Sequence, residues 1–223
     1  MYSAPETLCA ICGHEKAKTV DHIIPRGIFA NPRPDNMITV PSCSKCNHGA
    51  STQEEAFRVY LSLHVGIDTP ETKALWDNHA LKTLKHNKKL IRKILKNSRM
   101  VHVQTPSGII YDRRLAGLWD SDAHDMVIER MIRGLYYHHY NASLDRKVTC
   151  RVQWLRQLNE ELLKALENFS QNTVGSGQLV YRYGRAVEDP LYSTWLFQFY
   201  GRHWASGYTE PAKKPNESLV SLD

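Results

Sequence analysis

Cys9-Ala10-Ile11-Cys12, then Thr19-Val20-Asp21-His22-Ile23-Ile24-Pro25, then Cys43-Ser44-Lys45-Cys46-Asn47-His48 are the segments whose reading decides the fold. The two Cys-x-x-Cys pairs are separated by 30 residues. Two thiolates at that spacing bind one tetrahedral ion from a tight turn, and two such turns complete its shell. Cys9, Cys12, Cys43 and Cys46 are therefore predicted to hold a structural Zn²⁺. The fifth cysteine, Cys150, stands alone and reads as a small buried hydrophobe. An odd count in a chain whose first residues do not read as a signal peptide argues against a disulfide framework. No βαβ pattern surrounds either pair, which argues against a redox dithiol. The spacer exceeds the roughly 15–20 residues of a simple two-knuckle site, so something is inserted between the pairs.

The insert carries chemistry. Asp21 and His22 are neighbours in an apolar run, and neighbouring side chains of a strand point to opposite faces. A carboxylate is a hard ligand suited to Mg²⁺ or Mn²⁺. A neutral imidazole takes a proton from water near working pH. Phosphodiester hydrolysis needs both an activated water and a cation that stabilises charge on the phosphate. An Asp-His pair alone would be an ordinary strand end; between two knuckles it reads as a site.

Asp21-His22-Ile23-Ile24-Pro25, Asp35-Asn36-Met37 and Cys43-x-x-Cys46-Asn47 together resemble the HNH nuclease motif of the ββα-metal fold, in the branch where two Cys-x-x-Cys knuckles bracket the motif. The resemblance covers about the first quarter of the chain. It implies that His22 is the general base and that Asp21 and Asn47 ligate a catalytic divalent cation, Mg²⁺ or Mn²⁺. It implies that Asn36 orients the base or its loop. His48 is an alternative ligand or phosphate contact. Gly49 follows the last motif residue, but the Lys that many relatives carry nearby is absent, and Ser51 to Glu55 stand there instead. Small HNH proteins of this kind resemble effector nucleases of bacterial anti-phage systems.

The rest of the chain predicts an α+β fold: an N-terminal ββα-metal unit over residues 1–60, then a mixed accessory domain over 61–210, helices first and strands later. A helix is expected over Ser51–Leu63 with Ser51 or Thr52 as cap, and another from Thr69-Pro70 to about Ala80. A hairpin is expected around Thr105–Gly108. A long helix is expected over Asp122–Tyr140, ending in Tyr136-Tyr137-His138-His139-Tyr140, which reads as helix-end packing rather than a base-stacking or metal site. Val148–Trp154 reads as a strand, Leu155–Asn168 as a helix and Ser170–Gly177 as a polar loop. Three aromatic-rich strands over 179–183, 192–200 and 203–208 come next, and the tail 211–223 is expected to be disordered.

Net charge is +6 with a pI near 9.0. Residues 81–100 alone carry eight Lys and Arg and no Asp or Glu. An amphipathic helix over 81–99 is predicted, apolar on Leu81, Leu84, Ile91, Ile94 and Leu95, and basic on Lys82, Lys85, Lys88, Lys89, Arg92, Lys93 and Lys96. A solvated helix face normally mixes both signs, whereas like charges in series repel and call for a polyanion. DNA backbone is the expected partner, with RNA as the variant of the same chemistry. No apolar run is long enough for a membrane span, and a cytoplasmic location is expected. The reading is a metal-dependent DNA endonuclease, acting as a homodimer or with a subunit supplying targeting or ATPase activity, since no P-loop pattern occurs. The alternative is a zinc-stabilised nucleic-acid-binding or partner-docking module with weak or no cleavage.

Overall fold

The computed structural model describes residues 7–158 and 160–212 and is a mixed α+β fold. Strand β1 (Thr19–His22) pairs antiparallel with β2 (Thr39–Ser42), placing Asp21 opposite Val40 and His22 opposite Thr39. One Cys pair precedes β1 and the other follows β2 directly. There Cys43 caps the short helix α1 (Ser44–His48), its sulfur accepting from the Cys46 N–H at 3.4 Å. The two knuckles lie side by side because Ala10 N–H donates to Pro41 O at 2.9 Å and Lys18 N–H to Ser42 O at 3.0 Å.

Helix α2 (Ser51–Val65) follows, its preceding cap position being Ala50 with no side-chain bond, rather than the predicted Ser51 or Thr52. Helix α3 (Pro70–Leu75) starts as its sequence demands: the Thr69 hydroxyl accepts from Thr72 N–H at 3.2 Å, and Pro70 occupies the first turn. A single π-turn, Trp76–Ala80, carries it into α4 (Leu81–His86).

The basic element is not one helix. It breaks at Asn87 into α4 and α5 (Lys88–Lys96), and Arg99 belongs to the following strand. Asn87 supplies the physical reason. Its side-chain oxygen caps α5 by accepting from Leu90 N–H at 2.9 Å, and its amide donates to Glu55 at 3.0 Å, so it restarts the helix instead of continuing it. Strands β3 (Ser98–Gln104) and β4 (Ile110–Gly117) form the hairpin expected around Thr105–Gly108.

Helix α6 (Ser121–Tyr140) is the axis of the molecule and is capped by Asp120, whose carboxylate accepts from Ala123 N–H. After it come β5 (Thr149–Leu155), α7 (Glu160–Ala165), β6 (Ser170–Val174), β7 (Leu179–Arg185), β8 (Ser193–Phe199) and β9 (His203–Glu210). The five strands form an antiparallel sheet in the order β5-β9-β8-β7-β6. The sheet corrects two expectations. The helix expected over Leu155–Asn168 shrinks to α7, because Leu155 still pairs with Trp204 in the sheet. The polar loop at Ser170–Gly177 is an edge strand ending in a turn. Only Val174 of β6 is buried, so the strand shows no apolar alternation to read. Residues 213–223 of the expected disordered tail lie outside the described residues.

Helix α6 lies between the N-terminal hairpin and the sheet. A Cβ at Gly134 would stand 1.9 Å from Ile23 Cγ1, and one at Gly207 of β9 would stand 2.4 Å from Ile132 Cδ1. The glycine on each contact is what permits the approach. The apolar core consequently runs unbroken from Cys9, Ile23 and Phe57 through Val127–Tyr136 to Trp195 and Phe199. Residue 60 falls within α2, and no gap in this core separates 1–60 from the remainder of the chain. No helix among the described residues is long and apolar enough to cross a membrane.

Candidate functional site

The four predicted cysteines converge. Their sulfurs all lie within 4.8 Å of one another, and none is in a disulfide. A tetrahedral S₄ shell with Zn–S bonds of about 2.3 Å requires sulfur separations of about 3.8 Å, so modest adjustment closes the cage. Burial raises the Cys9 thiol, but backbone N–H groups at Cys43, Cys12 and Ile11 outweigh it and bring it to about 6. Cys46 is pushed well above its ordinary value by burial and by Cys43, Cys9 and Cys12 beside it. One thiolate forms readily, further negative charge is resisted, and a divalent cation relieves that conflict. The cluster is chemically suited to a metal such as zinc. The first knuckle is pressed on the segment after α6: Gly13 has φ +71°, and a Cβ there would meet Leu144 O at 2.5 Å.

Beside the cluster, β1 sorts Asp21 and His22 to different sides. Asp21 is buried, Val20 before it is exposed and His22 is half-buried. Asp21 turns inward to Arg130 of α6, whose guanidinium donates to its carboxylate and to Cys46 O. Arg130 Nε also stands 3.5 Å from Glu54 of α2. Burial holds the Arg130 guanidinium down at about 10 and pushes the Glu54 carboxyl up to about 7, against the lowering effect of Arg58. Sequence reading missed Arg130 and Glu54. Arg130 is 109 positions from its partner and sits on a helix that reads as ordinarily amphipathic.

Asn47 reaches back from α1 to β1, donating to Thr19 Oγ1 at 3.0 Å and to Val20 O at 3.4 Å. Asp21 and His22 thus lie on β1, and Asn47 on α1 is bonded back to the same strand at Thr19 and Val20. Asn36 is not engaged with them. Its amide donates to Thr173 O at 2.9 Å and accepts from Gly175 N–H at 3.0 Å, tying its loop to the β6–β7 turn. His48 is exposed, and its Nδ1–H donates to Ser44 O at 2.8 Å.

Positive charge surrounds His22. Burial, Arg26 and Arg33 lower its pKa and keep the ring neutral. Arg58 of α2 lies against the turn at Gly27 and donates to Thr83 Oγ1 of α4 at 2.6 Å. His79, similarly lowered, feels burial first and then Arg58, Arg33 and Lys82. These residues carry positive potential from the neighbourhood of His22 to the start of the basic helices. Arg26 and Arg33 carry no motif signal of their own in the sequence, and it is the fold that brings their charge to His22. Of the predicted basic set, Lys82, Lys85, Lys88, Lys89, Arg92 and Lys96 are exposed. Lys93 is exposed too, but its ammonium pairs with Asp120 at 2.5 Å, which raises its pKa. Comparison with models of protein families, with curated proteins and with solved structures finds no match for this chain.

Proposed function

We propose that the chain is a metal-dependent nuclease of the HNH type, built on a zinc-stabilised ββα unit and acting on DNA. The observation that carries the reading is that β1, which bears Asp21 and His22, and α1, whose Asn47 bonds back to β1, lie between and beside the two halves of the Cys₄ cluster, with the charges of Arg26 and Arg33 felt at His22. The order of two antiparallel strands and a helix, with a knuckle before and after the strands, supports it too. His22, held neutral, accepts the proton of a water as its oxygen attacks phosphorus. Arg26 and Arg33 bind the phosphate and oppose the charge that builds on it. A divalent cation, when bound, supplies further stabilisation of the phosphate and leaving oxygen. Asp21 would hold it by its carboxylate and Asn47 by its amide oxygen, since the Asn47 nitrogen is committed to β1. A set of so few protein ligands, completed by water, fits Mg²⁺. Asn36 acts at a distance by anchoring the loop between the strands, and the exposed lysines of α4 and α5 bind backbone phosphates. A role as an effector nuclease, dimeric or with a partner subunit, is part of the same proposal.

A second reading is favoured by one observation. Arg130 already neutralises Asp21 and stands where a cation would compete with it. A zinc-stabilised binding module without cleavage would need no more. A nicking assay on supercoiled plasmid, with Mg²⁺, Mn²⁺ and Ni²⁺ in turn, separates the two. Cleavage by the wild type, lost in His22→Ala with zinc content unchanged, supports the nuclease. Equal cleavage by both proteins refutes the role of His22, and salt-dependent binding without cleavage in any metal supports the module.

A further inference from the structure

A cleft of about 840 Å³ opens at the C-terminal end of α6, where β7 and β8 leave the sheet. It lies at the far end of β7 from the β6–β7 turn that Asn36 holds, and seven strand residues span about 20 Å. Its volume falls within the roughly 300–1,000 Å³ of small-molecule sites.

The chemistry of the wall is unusual. Aromatic rings dominate it: His139 and Tyr140 from α6, Tyr183 from β7, and Tyr192, Tyr208 and Phe169. Among the described residues no Leu, Ile, Val or Met lines it. No Asp or Glu lines it either, and one cation does: Arg185, whose guanidinium lies over the Tyr140 ring at 4.1 Å. Arg185 is exposed and has no carboxylate partner among the described residues.

The interior rings are locked. His139 stacks on Tyr183 at 3.9 Å and 20°, Tyr183 stacks on Trp195, and His139 Nε2 meets the Tyr181 hydroxyl at 3.0 Å. The Ser193 and Thr209 hydroxyls are spent on each other and on Trp195 and Leu191. What remains available is an exposed rim. Tyr192 and Tyr208 are each nearly half-exposed, and Thr194 and Arg185 stand beside them. Rigid ring walls, two open aromatic side chains and an unpaired guanidinium meet the needs of a flat heteroaromatic ring joined to an anion. Stacking serves the first, and the forked donors of arginine serve a phosphate.

We propose that this cleft binds a nucleobase together with its phosphate, from a free nucleotide or from an exposed base of a nucleic-acid strand. The site is independent of cleavage, and its occupancy is measured without it. The test is calorimetric titration of the zinc-loaded full chain with AMP, GMP, CMP and UMP, and with a 5′-phosphorylated tetranucleotide. Adenosine, inorganic phosphate and phenyl phosphate serve as controls. Saturable nucleotide binding is expected, weakened about tenfold or more in Arg185→Ala and in Tyr208→Ala, and partly retained in Arg185→Lys. Both positions are exposed, and circular dichroism with zinc content verifies that the variants fold. Tighter binding of the mononucleotide assigns the site to a free nucleotide, and tighter binding of the tetranucleotide assigns it to a strand. Phenyl phosphate binding as well as AMP overturns the nucleobase, and so does phosphate binding as well as AMP. No binding, or binding unaffected by either alanine variant, overturns the site. None of these readouts depends on His22, so nuclease activity can fail while this proposal stands, and the reverse.

Discussion

Gly134→Ala tests the packing on which the candidate site depends. In an unpacked helix interior this change stabilises by about 1 kcal/mol, because glycine loses the most backbone freedom on folding. Gly134 is not such a position. The added Cβ would stand 1.9 Å from Cγ1, 2.0 Å from Cδ1 and 3.0 Å from Cβ of Ile23. Ile23 is fully buried directly after Asp21-His22, and its β-branched side chain is stiff at χ1. Relief requires α6 to withdraw from β1 or Ile23 to leave its rotamer. Overpacking of this kind costs about 1–3 kcal/mol, and overlaps this deep belong at the upper end. After the propensity gain, a net loss of about 2 kcal/mol is expected, or about 4–8 °C in Tm for a chain of this size. Ile23→Ala removes both overlapping atoms. Alone it costs about 2–5 kcal/mol, but in its background Gly134→Ala regains the stabilising sign, a coupling of about 3 kcal/mol. Urea denaturation of the zinc-loaded protein, followed by tryptophan fluorescence, measures all four corners. If Gly134→Ala stabilises by about 1 kcal/mol in both backgrounds, α6 does not rest on β1. The placement of Arg130 at Asp21 then falls with it.

Three further outcomes are expected. Arg130→Met leaves Asp21 buried without its partner and should cost about 3–5 kcal/mol in the same urea assay, much of it regained when Asp21→Asn is added; no regain argues against the ion pair. His203 is fully buried with both ring nitrogens unpartnered, and burial, then His124 and His64, hold it down to about 2. Below its ordinary value of about 6.5 the unfolded chain binds a proton that the folded chain refuses, so stability falls as pH drops from about 6.5 toward 2, by about 1.4 kcal/mol per pH unit for this one group. His203→Gln should flatten urea stability against pH by that slope between pH 6 and 4, and an unchanged slope would contradict the buried neutral ring. For nucleic acid, Lys89→Ala should reduce the salt slope of binding by about 0.9, whereas Lys93→Ala should spare the slope and lower stability, because Asp120 loses its partner. Equal slope changes for the two would refute the distinction.

The cysteine cluster was legible because its signal is local. Each Cys-x-x-Cys pair is a turn whose two thiols reach one point whatever the rest of the chain does, so only the meeting of the two turns awaited the structure. Long α6 was legible for the same reason, from periodicity alone. What escaped the sequence are features whose cause lies far along the chain. Asp120 caps α6 where Ser121 would have served, and the same carboxylate holds Lys93 of α5. The β6 strand is polar along most of its length because it is an edge, and pairing with β7 defines it rather than composition.

The buried arginines of α6 show this most plainly. Arg130 and Arg133 sit at i and i+3, where an amphipathic reading assigns a charged stripe to solvent. Both are buried instead. Arg133 donates to Asp145 O and Val148 O, holding the chain as it leaves α6 for β5, while Arg130 holds Asp21 and the second knuckle. A helix covered by the N-terminal hairpin on one side and the sheet on the other has little solvent-facing surface left for such residues. Guanidinium groups survive there because each finds carbonyls or a carboxylate that the neighbouring elements leave unsatisfied. Arg130 therefore ties the N-terminal unit to α6, while Arg133 ties α6 to the segment that leads into β5. Arg130 also gives the candidate site its tightest link to the fold, because one guanidinium is bonded at once to the Asp21 carboxylate on β1 and to the Cys46 carbonyl of the second cysteine pair, so a change at either is felt at the other through Arg130.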